Sequence, residues 1–203
     1  MAHTIFFLLT CAILGHFTSE AATWHLRRIP WMFTTVNSFT WANCDGESLP
    51  GKIKSLSVSP DPISLPGDLT VSTVLTTTVP LVSPLKVVIS AEKKLFGEWI
   101  KVPCVDNIGS CTYDNICDFL DLLVPPGQEC PEPLHSYGLP CHCPFRSGSY
   151  SLPETTFTIP NVSLPSWLAN GNYRVTVILE AGEKEMGCAK FTFSLAASFS
   201  WWL

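Results

Sequence analysis

Apolar and polar residues alternate with a two-residue period in several stretches of this chain, the pattern of half-buried strands. Ile53, Leu56 and Val58 lie in the first. In the second, Leu69, Val71, Thr73 and Leu75 share one face, opposite Thr70, Ser72, Val74 and Thr76. Residues 86–91 and 99–102 form a further pair around a charged, glycine-containing turn. Late in the chain, Tyr173, Val175, Val177 and Leu179 alternate with Arg174, Thr176 and Glu180, with Ile178 breaking the polar face. Ala189, Phe191, Phe193 and Leu195 then alternate with Lys190, Thr192 and Ser194. Residues 180–187 supply a polar turn between these two runs, which predicts a hairpin. One segment breaks the rhythm: across residues 114–124, Ile116, Phe119, Leu120 and Leu123 recur at helical spacing until Pro125-Pro126 stop them. Asp114 and Asp118 stand near its start, where negative charge is favoured. The pattern predicts an all-β fold, an antiparallel cup or sandwich, with one short helix.

Composition agrees with strands. Seventeen prolines punctuate short apolar runs, and charged residues make up only 14 % of the 203 residues, which excludes disorder over most of the length. That length suits one domain, placed at residues 38–195. Ahead of it, residues 5–14 form an apolar run too short for a bilayer, which needs roughly 20 residues. Ser19-Glu20-Ala21 follows with small residues where a signal peptidase reads, so residues 1–22 are expected to be a signal peptide. Residues 23–37 lack any period and read as a flexible leader; residues 196–203 read as an apolar tail that ends in Trp201-Trp202-Leu203.

Cleavage removes Cys11 and leaves Cys44, Cys104, Cys111, Cys117, Cys130, Cys141, Cys143 and Cys188. An even number in an exported chain reads as a disulfide framework, whose connectivity spacing alone does not supply. Cys141 and Cys143 are too close to bridge one another. Joining Cys44 to Cys188 would close the longest loop available. Zinc is not expected, because paired C-x-x-C knuckles are missing and His142 is the only histidine near a cysteine pair. No other metal or cofactor is expected.

Charge and motifs remove further classes. The formal net charge of −5 and the lack of a dense basic patch argue against nucleic acid as a partner. Ser147-Gly148-Ser149 does not make the G-x-S-x-G elbow, and no helical H-E-x-x-H occurs. His135 and His142 sit in the cysteine-rich loops, where a solvated or structural role is expected. Asp118 and Asp121 are most simply the polar side of the short helix. No catalytic residue is assigned. Asn161-Val162-Ser163 is an N-glycosylation acceptor.

The informative feature is an excess of large apolar residues in segments read as loops. Phe96 and Trp99 flank Gly97; Leu122, Leu123 and Val124 run into Pro125-Pro126; Leu164, Trp167 and Leu168 are interrupted by Pro165. Such residues either fold inward as core plugs or form a wet-to-apolar boundary, a cavity mouth or loops that dip into a bilayer. The second reading points to lipid, since each buried methylene contributes about 0.8 kcal/mol and a single acyl chain brings many.

Several motifs carry a family resemblance. Ser38-Phe39-Thr40-Trp41 leads to Asn43-Cys44-Asp45, followed by Ser59-Pro60-Asp61-Pro62, Trp99-Ile100-Lys101 and Ile108-Gly109-Ser110-Cys111. Tyr137-Gly138-Leu139-Pro140-Cys141-His142-Cys143-Pro144-Phe145, Leu164-Pro165-Ser166-Trp167-Leu168 and Gly171-Asn172-Tyr173-Arg174 complete the set. In these the chain resembles the activator branch of the MD-2-related lipid-recognition family. The resemblance implies a β-cup with a lipid cavity and the pairings Cys44–Cys188, Cys104–Cys111, Cys117–Cys143 and Cys130–Cys141. It also implies a lysosomal, non-enzymatic cofactor that lifts GM2 ganglioside from membranes and presents it to β-hexosaminidase A for removal of the terminal N-acetylgalactosamine. Related glycolipids and phospholipids are further expected ligands, with transient contact to the membrane surface through Trp99 and Trp167. The alternative is a secreted lipid-recognition module that acts with a receptor.

Overall fold

The computed structural model describes residues 39–44, 48–160 and 165–197. The expected signal peptide, the leader, Asp45, Asn161, Leu164 and the Trp201-Trp202 ending lie outside the described residues. The strands are β1 Thr40–Asn43, β2 Gly51–Ser59, β3 Ile63–Leu65, β4 Gly67–Thr77, β5 Leu85–Leu95, β6 Glu98–Lys101, β7 Thr112–Tyr113, β8 Gly148–Ile159, β9 Gly171–Ala181 and β10 Lys184–Ala197. Among the described residues two helices accompany them, α1 Ile116–Leu123 and α2 Ser166–Ala169. The second, a single turn, falls where the sequence reads as loop.

The strands are hydrogen-bonded in the order β6-β5-β9-β10-β2-β4-β8, with β1 and β3 also on β10 and β7 on β5. Most pairs are antiparallel, but β10 runs parallel to β2 and β3. The β10–β2 link is a single pair, Gly187 opposite Gly51. A Cβ on Gly51 would lie 2.9 Å from the Met186 carbonyl oxygen, so only glycine admits so close an approach. This narrow joint separates two strand sets, β6-β5-β9-β10 and β2-β4-β8, each paired extensively within itself.

Local rules explain the irregular strands. Between Ile53 and Ser55 the register of β2 against β4 shifts, and the extra residue returns Leu56 to a part-buried position like that of Ile53. The twelve-residue β8 carries Pro153, which argues against a central strand. It is an edge strand paired to β4, and its register shifts where Thr73 meets Leu152 and Val71 meets Thr155, so Pro153 occupies the irregularity. The predicted late hairpin is β9–β10, tighter than residues 180–187: Ala181 pairs Lys184 and Gly182, at φ 62°, makes the turn. Ala196 and Ala197, assigned to the tail by sequence, continue β10 and pair with Ser64 and Leu65 of β3.

Helix α1 begins one residue after Asn115, whose Oδ1 accepts from the Cys117 N–H at 3.3 Å and the Leu85 N–H at 3.1 Å. The same amide donates to Asp118 Oδ1 at 2.7 Å and Ser83 Oγ at 3.0 Å, so one cap ties the helix to the start of β5. Disulfides join Cys44–Cys188, Cys104–Cys111, Cys117–Cys143 and Cys130–Cys141. Three of them staple the segment from Cys104 to Cys143, which is poor in regular structure.

Two clusters make the core. Leu81, Leu85, Cys117 and Met186 form one, against Phe145 and Leu179. Ala91, Val102, Leu168 and Tyr173 form the other, against Val175, Phe193 and Leu195. Among the described residues Leu85 is the only large side chain less than 2 % exposed. A core so divided leaves space between its parts.

Candidate functional site

That space is a cavity of about 580 Å³, within the roughly 300–1,000 Å³ typical of ligand sites. Ile53 of β2 and Thr73 and Leu75 of β4 form one wall with Tyr150 and Leu152 of β8. Val177, Leu179, Ala189 and Phe191 of the β9–β10 hairpin form the opposite wall. Leu81 and Phe145 border it with Leu134, Leu139 and Pro140, which come from the disulfide-stapled segment. Leu75 is 41 % exposed because it looks into this hollow.

The alternation of β9 and β10 divides between cavity and core. Tyr173, Val175, Val177 and Leu179 lie on one face, as do Ala189, Phe191, Phe193 and Leu195. Val177, Leu179, Ala189 and Phe191 border the hollow, whereas Tyr173, Val175, Phe193 and Leu195 pack on Ala91, Val102 and Leu168. The second core cluster therefore plugs the hairpin face beyond the cavity.

Most polar side chains on the lining are committed elsewhere. Asn43 donates from Nδ2 to the Ile53 carbonyl at 2.9 Å and accepts from the Ile53 N–H at 3.0 Å. Thr73 donates to the Ser55 carbonyl at 3.0 Å, Thr77 to that of Val79 at 2.6 Å and Tyr150 to that of Arg146 at 2.5 Å. Lys52, the one charged residue on the lining among the described residues, is engaged in an interaction of its own. What remains turned to the hollow is hydrocarbon, which suits an aliphatic chain and offers little to a sugar. Among the described residues no His, Asp or Glu lines it. His142, part-buried, has its Nδ1 3.0 Å from Asp121 Oδ1 and so ties α1 to the stapled loop, while His135 lies near Glu129 and Glu132. Among the described residues no cluster of three or more potential metal ligands occurs, and no helix is long and apolar enough to cross a membrane.

Among the described residues, none of the apolar loop residues singled out by sequence borders the cavity. Phe96 is fully exposed at the β5–β6 turn, in the left-handed region at φ 51°, beside Gly97 at φ 93°. Trp99 is half-buried on β6, with the Arg174 guanidinium 4.8 Å and the Lys94 Nζ 5.8 Å from its ring. Leu122 and Leu123 are 78 % and 62 % exposed at the end of α1, joined by Phe119, so the helix buries Cys117 and turns part of its apolar face outward. Val124 is part-buried and caps that helix through its N–H to the Leu120 carbonyl at 2.9 Å. Trp167 is half exposed, but Leu168 is not a surface residue: at 7 % exposure it belongs to the second core cluster, since the turn of α2 points neighbouring side chains apart.

These residues do not form one patch. Asn115 fixes α1 to the Leu85 end of β5, whereas Phe96 follows its Leu95 end. An eleven-residue strand is about 35 Å long and an eight-residue helix about 12 Å, so the helix cannot reach the hairpin tip. Trp167 belongs with the tip, because its carbonyl accepts from Lys93 Nζ.

Electrostatics reinforce the outer face of β5. Lys86 pairs with Glu180 at 2.9 Å, and the Arg174 guanidinium binds Glu92 through two nitrogens, Nη2 at 2.9 Å from Oε1. The hydrogen bond from Arg174 holds the Glu92 carboxyl below its usual range. Burial pushes the Tyr173 hydroxyl up to about 12, so it stays protonated and donates to the Leu168 carbonyl at 2.5 Å.

Sequence reasoning identified the strand faces that build the two walls but not Leu134, Leu139, Pro140, Tyr150, Leu152 or Phe145. Three of these lie in the stapled loops and Phe145 just beyond them, where there is no period to read, and two lie in β8, where Pro153 and a Ser/Thr-rich composition conceal the strand.

Comparison with known proteins places the chain. The ML domain matches residues 38–195. A ganglioside GM2 activator from Mus musculus is 53 % identical over 169 residues, 83 % of this chain and 88 % of that protein. One from Macaca fascicularis is 50 % identical over 182 residues, 90 % of this chain and 92 % of that protein. Among solved structures, a Niemann-Pick type C2 protein from the Japanese carpenter ant aligns at a TM-score of 0.39 and 17 % identity, over 77 % of this chain and 99 % of its own, a likeness that carries no weight here. With the family match spanning the cavity-bearing strands and identities of one half or more, the chain belongs to the ML-domain family of lipid-recognition proteins.

Proposed function

We propose that this chain is a non-enzymatic lipid carrier that lifts GM2 ganglioside from lysosomal membranes and presents it to β-hexosaminidase A, which removes the terminal N-acetylgalactosamine. The observation that carries this reading is the cavity: two strand sets hold apart a hollow most of whose polar side chains are already hydrogen-bonded, so its largely apolar surface gains free energy by taking up acyl chains. The saccharide finds few partners on those walls, which favours leaving it outside, within reach of a glycosidase. The names of the two mammalian relatives support the choice of lipid and the activator role. Acid in the lysosome would protonate some carboxylates of this net-negative chain and lower its repulsion from anionic membranes.

Vesicles containing GM2 test the reading. The protein is expected to withdraw GM2 into solution as a complex visible by native mass spectrometry, to raise hydrolysis when β-hexosaminidase A is added, and to release no sugar alone. Val177→Trp, which places an indole into the hollow, is expected to cut extraction at least tenfold while stability moves by less than about 1.5 kcal/mol. Undiminished extraction by that variant would show that the hollow is not the lipid site. Stable association with a receptor, without any rise in glycosidase rate, would favour the receptor-linked alternative.

A further inference from the structure

In β5 the residues paired with Leu179, Val177, Val175 and Tyr173 are Val87, Ile89, Ala91 and Lys93, all on the inward face. The alternation calls for an apolar residue at position 93 and the chain has a lysine. Lys93 is 7 % exposed and its Nζ donates to the Trp167 carbonyl. That ammonium stands 5.6 Å from the centre of the Tyr173 ring. Gly171 makes room for it: a Cβ there would lie 2.8 Å from Lys93 Cε. No carboxylate is paired with Lys93 in the described structure, so its charge is buried against a carbonyl and a ring face alone.

A buried ammonium without an acid partner is a cost to folding, since burial disfavours the charged form. What it obtains is a bond to one peptide of the turn α2. Its neighbour Leu168 is held by the Tyr173 hydroxyl at 2.5 Å and packs into the cluster that closes the hairpin face beyond the cavity. Two adjacent carbonyls are thus clamped by two inward side chains, while the indole between them stays half exposed.

We infer that Lys93 is a positioning residue for lipid uptake, which clamps the α2 turn so that Trp167 is held outward for membrane contact while Leu168 seals the end of the hollow. The role rests on the carrier reading above, and it acts through Trp167 rather than on lipid. Burial holds the Lys93 ammonium below its ordinary 10.5, so the unfolded chain takes up this proton more readily than the folded one. Stability then rises with pH between the folded and unfolded values, and below the folded value the cost of the buried charge is fully present. At neutral and acid pH, Lys93→Met removes that cost.

The test is a double-mutant cycle read by extraction of GM2 from vesicles, together with thermal melting and limited proteolysis of the lipid-free protein. Lys93→Met is expected to melt at or above the wild-type temperature, to be cut faster between residues 165 and 171, and to extract GM2 about fivefold more slowly. In a Trp167→Ala background the same change is expected to add less than twofold, because the residue it positions is gone. Tyr173→Phe, which removes the second clamp bond and keeps the ring, is expected to shift cleavage and extraction in the same direction, and it serves if Lys93→Met does not fold. Wild-type cleavage and extraction in the Met variant, a loss that follows a lowered melting temperature, or full additivity with Trp167→Ala would each overturn the inference. If the wild-type protein extracts no GM2, the carrier reading fails, whereas the cleavage and melting pair still decides whether Lys93 clamps the turn.

Discussion

At the scale of single residues, the telling cases are side chains that water and backbone geometry both disfavour where they stand. Phe96 is one. Its ring is fully exposed and its backbone is in the left-handed region, which asparagine and glycine adopt far more readily than an aromatic residue. With Gly97 it makes a two-residue turn of the kind that Asn-Gly forms best. Selection for stability alone would not place phenylalanine there, whereas a bilayer stabilises an exposed ring. Phe96→Asn is therefore expected to raise stability by about 0.5–1 kcal/mol, by relief of backbone strain, and to weaken binding to vesicles severalfold. Chemical denaturation and vesicle co-sedimentation of one variant check both halves; a stabilised protein with unchanged sedimentation would remove Phe96 from the membrane surface. Much of this was legible beforehand, because Phe96-Gly97 between charged residues looks like a turn with a misplaced aromatic. The fate of Leu168 was not. Trp167 and Leu168 are equally apolar neighbours, and only the α2 turn, which points adjacent side chains apart, assigns one to the surface and the other to the core.

At the scale of elements, the contrast is between strands that follow a period and loops that have none. The β9–β10 hairpin was readable because a half-buried strand must alternate, and α1 because its apolar spacing is helical and two prolines end it. The helix does not bury that whole stripe, since Phe119 and Leu123 find no partner layer and remain outside. The segment from Cys104 to Cys143 has no repeat, yet it supplies Leu134, Leu139 and Pro140 to the cavity. Its order comes from covalent bridges, each worth about 2–4 kcal/mol. Cys130–Cys141 closes directly around Leu134 and Leu139. The paired change Cys130→Ser/Cys141→Ser is thus expected to leave the strand framework intact by far-ultraviolet circular dichroism while weakening lipid binding at least fivefold. Equal lipid affinity in the bridgeless variant would show that this wall is not needed.

At the scale of the whole molecule, stability and function pull against each other, because filling the space between the strand sets would add apolar contacts and abolish the cavity. The chain compensates with clamps at the periphery. Cys44–Cys188 links β1 to β10 across a separation of 144 residues, beside the joint where Gly51 meets Gly187. Cross-linking so long a loop restricts the unfolded chain strongly, and Cys44→Ala/Cys188→Ala is expected to cost about 4 kcal/mol, more than the loss of Cys104–Cys111, which spans seven. Denaturant titration of the two bridge deletions compares them; a smaller loss for the long bridge would place the restraint in the short loops.

The sequence by itself determined the strand faces, the short helix, the disulfide framework and the family, because period, proline placement and cysteine motifs are local properties that survive without coordinates. Only the tertiary structure decided that the inward faces stand apart around a hollow, that most polar side chains on its walls are spent on neighbouring backbone, and that a lysine occupies an inward position. Those depend on which distant segments meet: one glycine pair sets the joint between the strand sets, and bridged loops with no pattern of their own complete the wall.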